Sequence, residues 1–179
     1  MPTGSKFKTG IRFGLITGLV YAILLFLRYN FFSGNPLSLG MFAIVSYLVV
    51  LVLYLFAGIT RKKELGGYAD FRDIFQTIFV AILIAEAVYV VFNVIYLKYV
   101  DPSFFDNFRV ATRNYMEKAG LPQDQVDSKM KAFDDMDKQL SPLGFIKSFG
   151  SWVIIDSIIG MIYALILRKR KDVFQETNL

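Results

Sequence analysis

Four long apolar stretches dominate the chain, at about 11–27, 37–59, 74–97 and 143–167. The second carries no charge at all. The third holds one, Glu86, and the fourth two, Lys147 and Asp156. Arg12 lies at the edge of the first. A helix needs about 17–25 apolar residues to cross the hydrocarbon core of a bilayer. A soluble bundle would instead put polar faces at helical spacing on its outside, and the second stretch offers none. The pattern predicts four membrane-spanning helices. The first stretch reads through as a span, with no A-x-A-like cleavage site after it.

The segment from about 101 to 141 has a different texture. Asp101-Pro102 reads as a helix start, because Asp caps free amides and Pro tolerates the first helical position. Phe104, Phe108, Ala111 and Tyr115 then recur on one face. Gly120 ends that helix and Pro122 opens a second, which places Val126, Met130, Phe133 and Leu140 on one face beside Asp134, Asp135 and Asp137. Ser141-Pro142 repeats the cap-then-proline signal and starts the fourth span. The fold expected is all-α: a four-helix transmembrane bundle, one integral membrane domain over 1–179, with an extracytoplasmic helical hairpin between spans three and four. The hairpin's two apolar faces are expected to pack on each other, with a ligand or partner surface as the alternative.

Charge orients the bundle. Lys6, Lys8 and Arg12 precede span one, Arg61, Lys62, Lys63 and Arg72 lie between spans two and three, and Arg168, Lys169, Arg170 and Lys171 follow span four. Lysine and arginine near span ends favour the cytoplasm. An even number of spans puts these clusters on one side. Both termini are therefore expected in the cytoplasm, with the protein in a bacterial inner membrane. Only Arg28 occupies the link between spans one and two. The 101–141 segment has eight acids against six bases and is expected outside. Tyr29, Phe31, Phe32, Tyr96 and Tyr99 then fall at the outer interface, where amphipathic rings settle. Arg61, Lys62, Lys63 and Arg168–Lys171 are candidates for contact with anionic lipid headgroups. Their spread along the membrane edge speaks against nucleic acid.

Composition removes much chemistry. The chain is 55% apolar and has neither cysteine nor histidine. Disulfides, thiolate sites, Ser-His-Asp catalysis and histidine-ligated zinc are excluded by inventory. No cofactor and no metal are expected. Gly66-Gly67 lacks the phosphate-loop pattern and reads as a turn.

Short strings give a resemblance. Gly67-Tyr68-Ala69-Asp70-Phe71 enters span three, and Tyr96-Leu97-Lys98-Tyr99-Val100-Asp101-Pro102 leaves it. With Thr9–Gly18 at the start and Ile158–Lys169 at the close, the chain resembles a family of small four-span membrane proteins from Bacteroidota, DUF4199, a domain of unknown function. The resemblance extends over nearly the whole chain. It implies no activity and no catalytic residue.

Two features remain as candidates. Glu86 and Asp156 are the acids inside the spans, 13 residues past Asp73 and 12 before Arg168. At 1.5 Å per residue both lie roughly 18–20 Å from the cytoplasmic edge, near mid-membrane. An acid at that depth costs about 2.5–3.5 kcal/mol. At least one is then protonated, or the two share a proton, or a cation or basic ligand sits between them. Tyr89 and Asn93 follow Glu86 on its face, and Tyr163 shares the face of Asp156. This polar seam serves either as interhelical glue or as a proton, cation or polar-ligand site. The second feature is Gly10, Gly14, Gly18 and Ala22, spaced four apart on span one, which invites close helix packing. Gly160 and Ala164 repeat the spacing on span four and make it a candidate partner.

The function expected is non-enzymatic: an accessory or assembly subunit of an envelope complex. Its partners are the lipid bilayer and another envelope membrane protein or a second copy of itself. The alternative is a small proton- or cation-coupled carrier working through Glu86 and Asp156. An intramembrane enzyme is the least favoured class.

Overall fold

A computed structural model of the chain describes residues 3–134 and 141–169. The described residues form α1 (Thr3–Phe31), α2 (Pro36–Glu64), α3 (Phe71–Ile95), α4 (Phe104–Lys118), α5 (Gln123–Asp134) and α6 (Pro142–Leu167). A π-helical turn, Tyr96–Val100, prolongs α3. No strand occurs among them, only an isolated bridge between Ala69 and Lys169. Four helices are long and apolar enough to cross a membrane, within Phe7–Phe31, Pro36–Glu64, Phe71–Val100 and Leu143–Leu167.

Their outward faces are apolar too. Ile44, Val45 and Leu48 on α2 and Ile154, Ile158, Ile162 and Ile166 on α6 are all exposed. Water would not tolerate that surface, and hydrocarbon does. In lipid, apolar burial gives helices little reason to associate, so close packing and polar contacts must hold them together. The bundle accordingly centres on α3, whose Ile74, Ile78, Ala81, Ile82 and Ala85 are fully buried among the other three spans.

The helix ends follow local chemistry. Asn35 caps α2, its Oδ1 accepting from the amides of Leu37 at 2.9 Å and Ser38 at 3.4 Å, with Pro36 at the first helical position. Ser141 caps α6 through a 3.1 Å bond from the Gly144 amide. Gly120, at φ +74°, closes α4 in a Schellman turn: its amide reaches the Glu117 carbonyl, and that of Leu121 reaches Met116.

One start differs from expectation. The π turn keeps the chain winding to Val100, so Asp101-Pro102 forms a turn and α4 begins later, at Phe104. Asp101 Oδ1 accepts from Ser103 Oγ at 2.8 Å instead of capping helix amides.

The helices α4 and α5 form a hairpin at the end of the bundle that carries the α1–α2 turn. Val126 and Met130 are buried, and Phe108 meets Phe133 at 5.9 Å between ring centroids. Arg113 pairs with Asp127 at 2.6 Å. Phe104 anchors the hairpin by packing on Tyr29 at 4.6 Å. Leu140, Asp135 and Asp137 lie outside the described residues. At the opposite end, the backbones of Ala69 and Lys169 exchange two 3.0 Å hydrogen bonds, tying the end of α6 to the α2–α3 turn.

The basic residues at that end divide. Lys63, Arg168 and Lys169 are exposed, and Lys62 is half-buried. Arg61 departs from the expected headgroup contact: it is only 4% exposed and pairs with Glu64 at 3.3 Å. Both Glu64 oxygens also accept from Thr9 Oγ1, at 2.7 and 2.9 Å, so this arginine joins a polar clasp between α1 and α2. An arginine one turn before a helix end can turn inward when a carboxylate meets it. Arg170 and Lys171 lie outside the described residues.

Candidate functional site

The two intramembrane acids meet. Glu86 lies 15 residues past Phe71 and 14 before Val100, and Asp156 is 14 past Pro142 and 11 before Leu167. Both therefore sit near the middle of antiparallel spans that pack together. Glu86 is 1% exposed and Asp156 0%, and their carboxyls come within hydrogen-bonding reach of each other. A hydrogen bond between them requires a proton on one, because two bare carboxylates have no donor between them.

The surroundings are phenolic. Tyr47 of α2 donates to Asp156 Oδ1 at 2.6 Å. Tyr54, two turns further along α2, is buried near the same acid. Ser46, Val50, Tyr54 and Ala57 are buried, so α2 turns its scarce polar groups inward. No lysine or arginine pairs with either acid among the described residues. Glu86 Oε2, Asp156 Oδ2 and the Tyr54 hydroxyl are buried without a hydrogen-bond partner. Those orphaned atoms leave room for protons on the acids or for one small cation. Two carboxyls alone fall short of the six to eight oxygens that calcium takes.

The remaining seam residues divide. Tyr163 is half-buried on the Asp156 side. Tyr89 and Asn93 belong to a second cluster nearer the hairpin. There Tyr89 packs on Tyr21 at 4.6 Å, and Tyr29 donates to Asn93 Oδ1 at 2.5 Å. Tyr29 and Tyr96, expected at the interface, are thus buried. The reason is their register: Tyr21, Leu25 and Tyr29 form one face of α1, and that face abuts α3. Tyr99 and Phe31 remain exposed.

The glycine face of α1 packs on α3, not on α6. A Cβ on Gly10 would fall 2.8 Å from the Thr77 carbonyl oxygen, on Gly14 2.7 Å from Ile84 Cβ, and on Gly18 2.9 Å from Val88 Cβ. Gly160 and Ala164 of α6 also face α3; a Cβ at Gly160 would stand 3.0 Å from Ile78. Both small-residue stripes therefore pack on different faces of one helix. Ala22 ends the α1 stripe half-buried. Sequence reasoning passed over Tyr47 and Tyr54, because the 37–59 stretch of α2 has no charge to draw attention. Their seven-residue spacing, which places both on one helix face, was the available signal. It also passed over Gly58, where a Cβ would meet Leu167 at 2.8 Å.

A bundle of four membrane-spanning helices with a sealed carboxyl pair at its middle defines the class: a small polytopic membrane protein. Residues 12–169 match the family described as "Protein of unknown function (DUF4199)", and the chain belongs to that family. No curated protein and no solved structure matches it.

Proposed function

We propose that the protein is a non-enzymatic accessory or assembly subunit of an envelope complex, one integral domain in a bacterial inner membrane, with both termini cytoplasmic and the α4–α5 hairpin outside. The observation that carries this reading is the enclosure of the polar centre. Glu86 and Asp156 are shielded from solvent beside one another, and Asp156 accepts from Tyr47. Such a centre fixes the register of α2, α3 and α6, as polar contacts between membrane helices do. With the glycine faces consumed inside the bundle, the lipid-facing sides and the hairpin are left for a partner.

Orientation is tested first. A reporter active only in the cytoplasm should work when fused after Leu179 and be silent when inserted near Gly120. Equal activity at both sites would defeat this topology. The function is tested by purifying the full chain in mild detergent and identifying what accompanies it. A stoichiometric envelope membrane protein is expected, and recovery of the chain by itself would count against the reading.

A specific observation favours a second reading, a proton- or cation-coupled carrier: the orphaned oxygens of Glu86 and Asp156. Reconstituted in liposomes, a carrier should move protons or a monovalent cation, and Glu86→Gln with Asp156→Asn should abolish that flux. Absence of flux in the wild-type protein would remove this alternative.

A further inference from the structure

A cleft of about 900 Å³ opens between α1, α3 and α6 at the hairpin end of the bundle. Its walls mix polar and apolar groups. Arg28, Lys147, Ser148 and Ser151 supply polar groups, and Val90, Leu97, Phe105 and Phe145 supply apolar ones. On the rim, Leu143, Lys147 and Ser151 are exposed. Tyr89 and Val90 carry the cleft 11 and 10 residues below Val100, well inside the span.

Arg28 is the unusual member. An arginine at a helix end normally extends its head to the headgroup region. Here the guanidinium turns toward the bundle. It lies 5.0 Å from the Tyr29 ring centre, with Nη2 at 3.4 Å from the Tyr29 hydroxyl, and comes within reach of Tyr89. Its Nε is buried with no hydrogen-bond partner. No carboxylate among the described residues pairs with Arg28 or Lys147. A cation so placed is costly unless an anion joins it.

We infer that this cleft binds the phosphate of an anionic lipid, with Arg28 and Lys147 on the headgroup and the apolar walls against the chain. A guanidinium fork and an ammonium match phosphate oxygens, and the serine hydroxyls add donors. The first turn of α6 also lines the cleft, through Leu143, Gly144 and Phe145. The position inside a membrane span, beside apolar walls, selects a lipid over a soluble ion.

The test measures lipid binding to the purified full chain by native mass spectrometry. The probes are phosphatidylglycerol, phosphatidylcholine and inorganic phosphate. Phosphatidylglycerol should bind at least about tenfold more tightly than phosphatidylcholine, as a charge-assisted contact predicts. Arg28→Gln should remove that preference, Lys147→Gln should reduce it about threefold, and Lys129→Gln, exposed on the hairpin and outside the cleft, should leave it intact. Lys147 is exposed, so its variant reports on the site even if Arg28→Gln fails to fold. Equal binding of the two lipids, or equal losses in all three variants, would overturn the assignment. So would displacement of the lipid by millimolar inorganic phosphate, which would mark a site for a soluble anion.

Discussion

Gly14→Leu should collapse the bundle's stability, lowering both the cellular level of the protein and its melting temperature in detergent. A Cβ at Gly14 already falls 2.7 Å from Ile84 Cβ and 3.0 Å from the Ala81 carbonyl oxygen. The first neighbour is a branched side chain and the second is backbone, so neither can swing away. Separating α1 from α3 would break the most extensive helix contact in the molecule. Overpacking of this kind costs about 1–3 kcal/mol and sometimes more. Gly14→Ala should show a smaller loss in the same direction. Gly40→Ala and Gly150→Ala are the internal controls, because nothing lies within 4 Å of either added Cβ. Both glycines are helical, so alanine there should be neutral or stabilising by up to about 1 kcal/mol. If Gly14→Leu melted with the wild type, the α1–α3 packing described above would be wrong.

Asp156→Leu should be the second large loss, and Asp156→Asn a minor one. Leucine removes the acceptor for Tyr47 and the partner of Glu86 together, leaving a phenol and a carboxyl buried without their contacts. Each abandoned polar group costs about 1–3 kcal/mol. Asparagine keeps the size and a carbonyl oxygen for Tyr47. Melting of the two variants in detergent separates them. Equal losses would show that the negative charge or the proton, rather than the hydrogen bonding, matters at this site. Equal tolerance would show that Asp156 holds nothing together.

The sequence by itself determined the membrane class, the number of candidate spans, the helices that follow span three and the mid-helix position of both acids. The reason is that hydrocarbon imposes a simple one-dimensional rule: every backbone group must be bonded within its own helix, and the span must be apolar for the thickness of the bilayer. Run length and charge placement obey that rule residue by residue. Caps were legible for the same reason, since Ser141-Pro142 and Gly120 act on their immediate neighbours.

Only the tertiary structure decided which helix faces which. Hydropathy cannot separate a face turned to lipid from a face turned to another helix, because both are apolar. Thus Gly10, Gly14 and Gly18 declared a close approach without naming α3 as its target, and α2 concealed Tyr47 and Tyr54 in a stretch without charge. Arg28 and Arg61 looked alike as span-end cations, yet Arg61 found Glu64 on its own helix and Arg28 turned into a cleft that no single helix contains. Pairings of that kind arise from helix rotation and neighbour choice, which packing between spans sets and the order of residues along one span does not.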